Sequence, residues 1–74
     1  MLKQGDVLTL DDNKKYSVVW TVNYNNKNYV YLIEQDDLTN TMFCEYDDND
    51  NLEEVVDPEI IEELMSKFKH EVED

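Results

Sequence analysis

An alternation of apolar and polar side chains over residues 16–35 constrains this chain more than any other feature. The alternation runs on both sides of Asn25-Asn26, a pair that tolerates the positive φ angles of a two-residue turn. The segment therefore predicts a β-hairpin, and it selects one register because a one-residue slip would mix the two faces. The predicted pairs are Tyr24 with Lys27, Val22 with Tyr29, Trp20 with Tyr31 and Val18 with Ile33.

The predicted hairpin has an aromatic face and an aliphatic face. The aromatic face carries Tyr16, Val18, Trp20, Val22, Tyr24, Tyr29, Tyr31 and Ile33, and the other carries Ser17, Val19, Thr21, Asn23, Asn28, Val30, Leu32 and Glu34. Aromatic pairs across strands stabilise a small sheet, which favours a core role for the first face over a stacking platform for bases. The apolar residues of the second face then need strong sheet curvature or a partner to cover them.

Asp57-Pro58 predicts the start of a C-terminal helix. Aspartate caps the free amides of a first helical turn, and proline at the first helical position loses no hydrogen bond. The apolar residues that follow recur at helical spacing and are Ile60, Ile61, Leu64, Met65, Phe68 and Val72. The pattern predicts a helix over 58–72 that covers the aromatic face. A helix on the opposite face would instead leave Trp20 and the tyrosines exposed as a binding surface.

The rest of the chain predicts three further strands joined by short polar turns. With the hairpin, the predicted strands span about 6–10, 15–24, 27–35, 41–46 and 52–56. Short connections between successive strands are typical of an antiparallel meander. The predicted fold is α+β, with residues 1–74 forming one small domain: a five-stranded antiparallel β-meander with one C-terminal amphipathic helix packed on a sheet face. A core of this size contributes little net stability, so a homodimer is left open.

The charge of the chain is strongly asymmetric. Residues 1–33 carry four lysines and three aspartates, a net charge of +1, whereas residues 34–74 carry sixteen acidic residues and two lysines, a net charge of −14. The sum is the formal net charge of −13. Such a surface repels nucleic-acid phosphates and anionic lipid, so the sequence predicts no direct nucleic-acid ligand and no membrane association.

The predicted binding residues lie in this acidic half. They are Asp36, Asp37, Glu45, Asp47, Asp48, Asp50, Glu53, Glu54, Glu62 and Glu63. Such a surface fits a small non-catalytic interaction module, or adaptor, that binds a basic protein partner. Three other interpretations stay open: solubility alone, a nucleic-acid mimic that inhibits a DNA- or RNA-binding enzyme, and an accessory factor associated with the ribosome.

The acidic run between the last two predicted strands invites a calcium-binding interpretation. Asp47, Asn49 and Asn51 match the first three ligands of an EF-hand loop. Leu52 then replaces the required glycine, and Pro58 replaces the glutamate that would bind with both oxygens. A solvated turn is therefore predicted, with no metal ion and no other cofactor.

Cys44 and His70 are the nucleophile and base candidates for catalysis. Cys44 alternates with Met42 and Tyr46 in a predicted strand, where a buried and inert thiol is the usual outcome. His70 falls on the polar side of the last helical turn. The chain is therefore predicted to have no enzymatic activity. One cysteine excludes an internal disulfide, and no apolar run has the length of a signal peptide, which predicts a cytoplasmic protein.

Four segments that together span nearly the whole chain resemble a known family. They are Gly5-Asp6-Val7-Leu8-Thr9-Leu10-Asp11-Asp12, Asn28-Tyr29-Val30-Tyr31-Leu32, Phe43-Cys44-Glu45-Tyr46 and Val56-Asp57-Pro58-Glu59. The chain resembles the YrzB-like family of small acidic proteins from Gram-positive bacteria, with Trp20 as a departure from the family's pattern. The resemblance implies a cytoplasmic, non-enzymatic protein, and it supplies no functional residues because none of the four segments is a catalytic motif.

Overall fold

The computed structural model describes residues 2–49 and 51–73, and the side chains of Val72 and Glu73 lie outside that description. The elements in chain order are β1 (Val7–Thr9), β2 (Lys15–Tyr24), β3 (Lys27–Glu34), β4 (Thr41–Tyr46), β5 (Leu52–Glu54) and α1 (Pro58–Glu73). Each strand pairs antiparallel with the next one along the chain, and the single sheet is curled. The predicted α+β meander with a C-terminal helix is confirmed.

The β2–β3 turn forms as its sequence predicts. Asn25 and Asn26 have φ angles of 54° and 65°, which a two-residue hairpin turn requires at both central positions. The pairs Tyr24–Lys27, Val22–Tyr29 and Trp20–Tyr31 are confirmed. The turn residues therefore set the register of the half of the hairpin next to the turn, from Trp20 to Tyr31.

A β-bulge at Val19 changes the register of β2 halfway along the strand. Val18 lies opposite Leu32 rather than Ile33, so that predicted pair is wrong, while the predicted register holds from Trp20 onward. A bulge places one extra residue in one strand, so the side chains before it change face relative to those after it. Tyr16 and Val18 therefore lie on the opposite side of the sheet from Trp20, Val22 and Tyr24.

The inner face of the curled sheet has its own core, here called the concave core. Its buried residues are Tyr16, Val18, Val30, Leu32, Cys44 and Tyr46, and Leu2, Leu8, Leu10, Met42 and Leu52 pack against them. Leu8 of β1 and Leu52 of β5, the two edge strands, both pack against residues of the central strands in this core. This face is therefore the inside of the curl. Tyr16 and Val18 were predicted to lie under the helix, and that prediction is wrong. Curvature, rather than a partner, covers Val30 and Leu32.

Helix α1 packs on the outer face of the sheet and forms the helix core. Its buried residues are Trp20, Tyr29, Phe43 and Leu64, with Val22, Tyr24, Tyr31, Val55, Ile60, Ile61, Met65 and Phe68 packed against them. The Phe68 ring lies 5.3 Å from the Trp20 ring and 5.1 Å from the Tyr31 ring, measured between centroids. Trp20 Nε1 also donates a hydrogen bond to Glu71 Oε2. The hairpin aromatic residues Trp20, Tyr24, Tyr29 and Tyr31 lie under the helix, as predicted.

The helix begins where Asp57-Pro58 predicts. Asp57 Oδ1 accepts a hydrogen bond of 2.9 Å from the Glu59 N–H, and the Asp57 carbonyl accepts one of 3.0 Å from the Ile61 N–H. Asp57 thus caps the first turn. Pro58 occupies the first helical position, where a backbone N–H would have no intrahelical hydrogen bond. Among the helical residues described, no stretch is both long and apolar enough to span a membrane.

Candidate functional site

The structure divides the predicted acidic residues among four places. Glu45, Asp47, Asp48 and Glu53 line one groove beside the β2–β3 turn. Asp36 and Asp37 lie in the β3–β4 turn at the other end of the strands, Glu54 lines the inner side of the curl, and Glu62 and Glu63 are exposed on α1. Asp50 lies outside the described residues. The first group is the largest that the fold brings together, and we call it the acidic groove.

The acidic groove has a volume of about 320 Å³ and contains two directly opposed glutamates. Glu45 on β4 pairs with Glu53 on β5, and like charges in that position destabilise a sheet. Lys27 offsets part of this repulsion, because its Nζ lies 3.2 Å from Glu45 Oε1. The hydrogen bond to Glu45 is the main cause that raises the pKa of Lys27, and the charge of Glu53 adds to it.

The groove keeps negative charge that Lys27 offsets only in part. Over residues 2–49 and 51–73, neither Asp48 nor Glu53 makes an ion pair or a side-chain hydrogen bond. Both residues are exposed, so water solvates them in the free protein. Asp48 and Glu53 can therefore each form an ion pair with a lysine or arginine of another molecule. Glu45 beside them is already paired with Lys27.

Asp47 has a structural role, unlike its neighbour Asp48. Its Oδ1 accepts hydrogen bonds from the Asn49 and Asn51 backbone N–H groups at 2.9 and 3.0 Å, and its Oδ2 accepts one from Asn51 Nδ2 at 3.2 Å. The backbone bond from Asn51 is the main cause that lowers the pKa of the Asp47 carboxyl. These residues form the predicted solvated turn. In the described part of the chain, no group of three or more acidic, histidine or cysteine side chains could hold a metal ion.

Replacing Asp47 with alanine is expected to destabilise the fold at neutral pH, whereas Asp48→Ala leaves stability nearly unchanged. A carboxyl whose pKa is lowered by folding stabilises the protein above its unfolded pKa, about 3.9, and loses that contribution as the pH falls through the lowered value. Thermal unfolding from pH 7 to pH 2 measures this. The difference between wild type and Asp47→Ala should begin to shrink as the pH falls below about 4 and should be lost only below the lowered pKa; a difference that persists unchanged to pH 2 would contradict the role of the ionised carboxylate.

The opposite end of the sheet uses its acidic residues to hold turns. Asp37 Oδ1 accepts hydrogen bonds from Thr39 Oγ1 at 2.6 Å and from the Thr39 N–H at 3.1 Å, and these bonds lower the pKa of Asp37. Glu34, which the sequence did not single out, is only 6% exposed. Its Oε1 accepts a hydrogen bond of 2.9 Å from Asn40 Nδ2 and lies 3.8 Å from Lys14 Nζ. Its buried charge is therefore paired, and this end is structural.

A second groove, of about 520 Å³, lies inside the curl between the two edge strands, and we call it the seam groove. Leu10, Met42, Cys44 and Leu52 form its apolar floor. Burial raises the pKa of the Cys44 thiol to about 11, so the thiol is protonated at neutral pH. His70 is exposed on α1, which packs on the other face of the sheet. Sequence periodicity could not indicate this groove, because it depends on the curvature of the sheet.

Comparisons of this chain with protein-family models, with curated proteins and with solved structures find no match. The resemblance to the YrzB-like family stays a prediction. The function of the chain is therefore inferred from its own geometry and charge.

Proposed function

We propose that the protein is a small, non-catalytic interaction module of the cytoplasm that binds a basic protein partner through the acidic groove. The observation that carries this proposal is the direct opposition of Glu45 and Glu53 beside Asp48, with Lys27 as the cation that offsets them. A lysine or arginine from a partner would reduce the repulsion between the two strands as it binds. Binding and local stability would then increase together.

Because salt screens distant charges, the residues of the acidic groove matter more for the strength of partner binding than the total charge of the protein does. At physiological ionic strength, charges interact over about 8 Å, whereas the longest dimension of the molecule is 30 Å. The carboxylates in the β3–β4 turn lie at the other end of the strands and therefore add little to a contact in the groove. They increase the rate of encounter with a basic partner, while the groove residues determine the strength of the contact.

The nucleic-acid mimic is less well supported by this arrangement. A mimic needs its carboxylates in rows at the phosphate spacing of one strand, roughly 7 Å. The described carboxylates instead lie at both ends of the strands, inside the curl and along α1. Competition with DNA for a basic DNA-binding enzyme separates the two functions. A mimic would compete, and neutralising Asp47, Asp48 and Asp50 would abolish that competition.

The interaction module is tested by capture from a native bacterial lysate with three immobilised proteins: wild type, Asp48→Asn/Glu53→Gln in the acidic groove, and Glu62→Gln/Glu63→Gln on α1. The two variants lose the same formal charge at exposed positions. The helix variant also loses the interaction of Glu63 with the Tyr24 side chain, so thermal unfolding of each variant confirms that it is folded before capture. We expect wild type and the helix variant to retain the same basic protein at about 0.15 M salt, and the groove variant to retain at least fivefold less, as roughly two rim charge pairs would give.

Two outcomes would contradict the proposal. Equal losses in the two variants would mean that only overall charge matters, and the acidity would then serve solubility. Retention of no basic protein by wild type at either 0.05 or 0.15 M salt would also contradict it. Light scattering on each protein identifies a homodimer, which would show a doubled mass in the absence of any partner.

A further inference from the structure

The outer edge of β5 presents unpaired backbone groups. Hydrogen bonding alternates along an antiparallel strand, so every second residue directs its N–H and C=O groups away from the neighbouring strand. The Val55 N–H donates to the Phe43 carbonyl at 2.9 Å, which places Val55 in the bonded set that faces β4. Leu52 and Glu54 therefore direct their backbone groups to the open side. Within the described chain, the backbone N–H and C=O groups of Leu52 and Glu54 have no hydrogen-bond partner on that open side.

The outer edge of β1 is open in the same way. The Leu10 N–H donates to the Lys14 carbonyl at 3.1 Å, so Leu10 belongs to the set that faces β2. Val7 and Thr9 then direct their N–H and C=O groups away from β2, and the described residues offer them no backbone partner. The sheet order places β1 and β5 at its two ends without pairing them. Both open edges remain available to an added strand.

The curl brings these two edges to the same groove. Thr9 from β1 and both Leu52 and Glu54 from β5 line the seam groove, whose floor is the exposed part of the concave core. An extended segment in this position would meet backbone donors and acceptors at its sides and apolar side chains below. Those are the two requirements for recognition by strand addition.

The rim of the seam groove is acidic. Asp11, Asp12 and Glu54 line it, and its described lining includes no cation. The Asp12 carboxylate is held by the Lys14 N–H at 2.9 Å and by the Tyr16 hydroxyl at 3.0 Å. Asp11 and Glu54, by contrast, have no ion pair or side-chain hydrogen bond within residues 2–49 and 51–73. Their charge is complementary to a basic segment, whereas a second copy would bring another net charge of −13.

We propose that the seam groove binds one extended, lysine- or arginine-containing peptide segment, which adds a strand between β1 and β5 and closes the curled sheet. This inference rests on the proposed function in one respect only, namely that the partner is basic. The seam groove lies inside the curl and the acidic groove beside the β2–β3 turn. The two grooves share the lining residues Asn51 and Leu52, but their acidic residues differ.

Amide hydrogen exchange and NMR titration test this with the synthetic peptide KVKVKVK and the full chain. We expect slowed exchange of the outward amides of Val7, Thr9, Leu52 and Glu54. A peptide with N-methylated backbone amides should bind at least about tenfold more weakly, since it cannot pair with the edges. The acidic peptide EVEVEVE should not bind.

Matched variants separate this site from the acidic groove. Asp11→Asn/Glu54→Gln should weaken binding of KVKVKVK about fivefold, as two exposed charge pairs would give, and Asp48→Asn/Glu53→Gln should change it less than about twofold. Equal binding of the N-methylated peptide, or shifts confined to Asp48 and Glu53, would overturn the inference. Protection that grows with protein concentration in the absence of peptide would overturn it in favour of a second copy.

The inference and the proposed function can fail separately. Absence of KVKVKVK binding overturns strand addition, while selective loss of lysate capture in Asp48→Asn/Glu53→Gln would still support the acidic groove. Conversely, slowed exchange at the outward amides with equal capture by all three immobilised proteins would support the seam groove and contradict the proposed role of the acidic groove.

Discussion

Replacing Leu64 with alanine is expected to lower the free energy of unfolding by about 3 kcal/mol or more. Leu64 is 0% exposed, and it is the helix residue buried against Trp20, Tyr29 and Phe43. The shortened side chain leaves a cavity beside all three rings, so α1 is held less tightly on the sheet. Urea unfolding measures the loss. Tryptophan emission in the absence of urea should also shift to the red, because Trp20 loses cover.

Val56→Ala is the control for this substitution. Val56 precedes α1 and is 78% exposed, so its truncation should change stability by less than about 0.5 kcal/mol. Equal losses for the two variants would contradict the conclusion that α1 covers the outer face through Leu64.

Replacing Leu32 with alanine tests the concave core and should cost about 3 kcal/mol as well. Leu32 lies on β3 and is 0% exposed, with Val18 opposite it on β2. A domain of this size has a total stability of about 4–11 kcal/mol, so the loss is a large part of the whole. Urea unfolding followed by circular dichroism measures it. Native tryptophan emission should stay unchanged, because Trp20 lies on the other face.

The matched control is Leu38→Ala, since Leu38 is 74% exposed in the β3–β4 turn and should tolerate truncation. A red shift of native emission in Leu32→Ala as large as that in Leu64→Ala would contradict two separate cores. It would mean that the inner and outer faces of the sheet loosen as one unit.

Local patterns were sufficient to predict most of the fold. The apolar spacing of α1, its Asp57 cap and the Asn25-Asn26 turn all act within a few residues, and each is found where it was predicted. The bulge at Val19 could not be predicted in the same way. Pairing Val18 with Leu32 or with Ile33 brings two aliphatic side chains together in either case. The Val18 pair therefore gives no contrast that would select between the two registers in this part of the hairpin.

The sequence was sufficient to predict that the candidate site is acidic, but only partly where in the fold it lies. In an antiparallel meander, the β2–β3 turn and the β4–β5 turn lie at the same end of the sheet. Lys27 and Asp48 could therefore have been placed near each other from topology alone. Alternation along β5 likewise separates Glu53 from Glu54, which line different grooves. The seam groove required the curvature, which follows from backbone geometry rather than from the identity of its lining residues.

The bulge at Val19 lies in β2, next to the part of that strand that pairs with β1. If the residue were absent, Val18 and Trp20 would simply alternate, and every side chain of β2 would keep its present face. Sorting of side chains therefore does not need the bulge, whose contribution is a local bend and extra twist. β1 pairs only with the part of β2 that precedes Val19, so this bend directs β1 toward or away from β5. We therefore expect deletion of Val19 to change the separation of β1 and β5 across the seam groove.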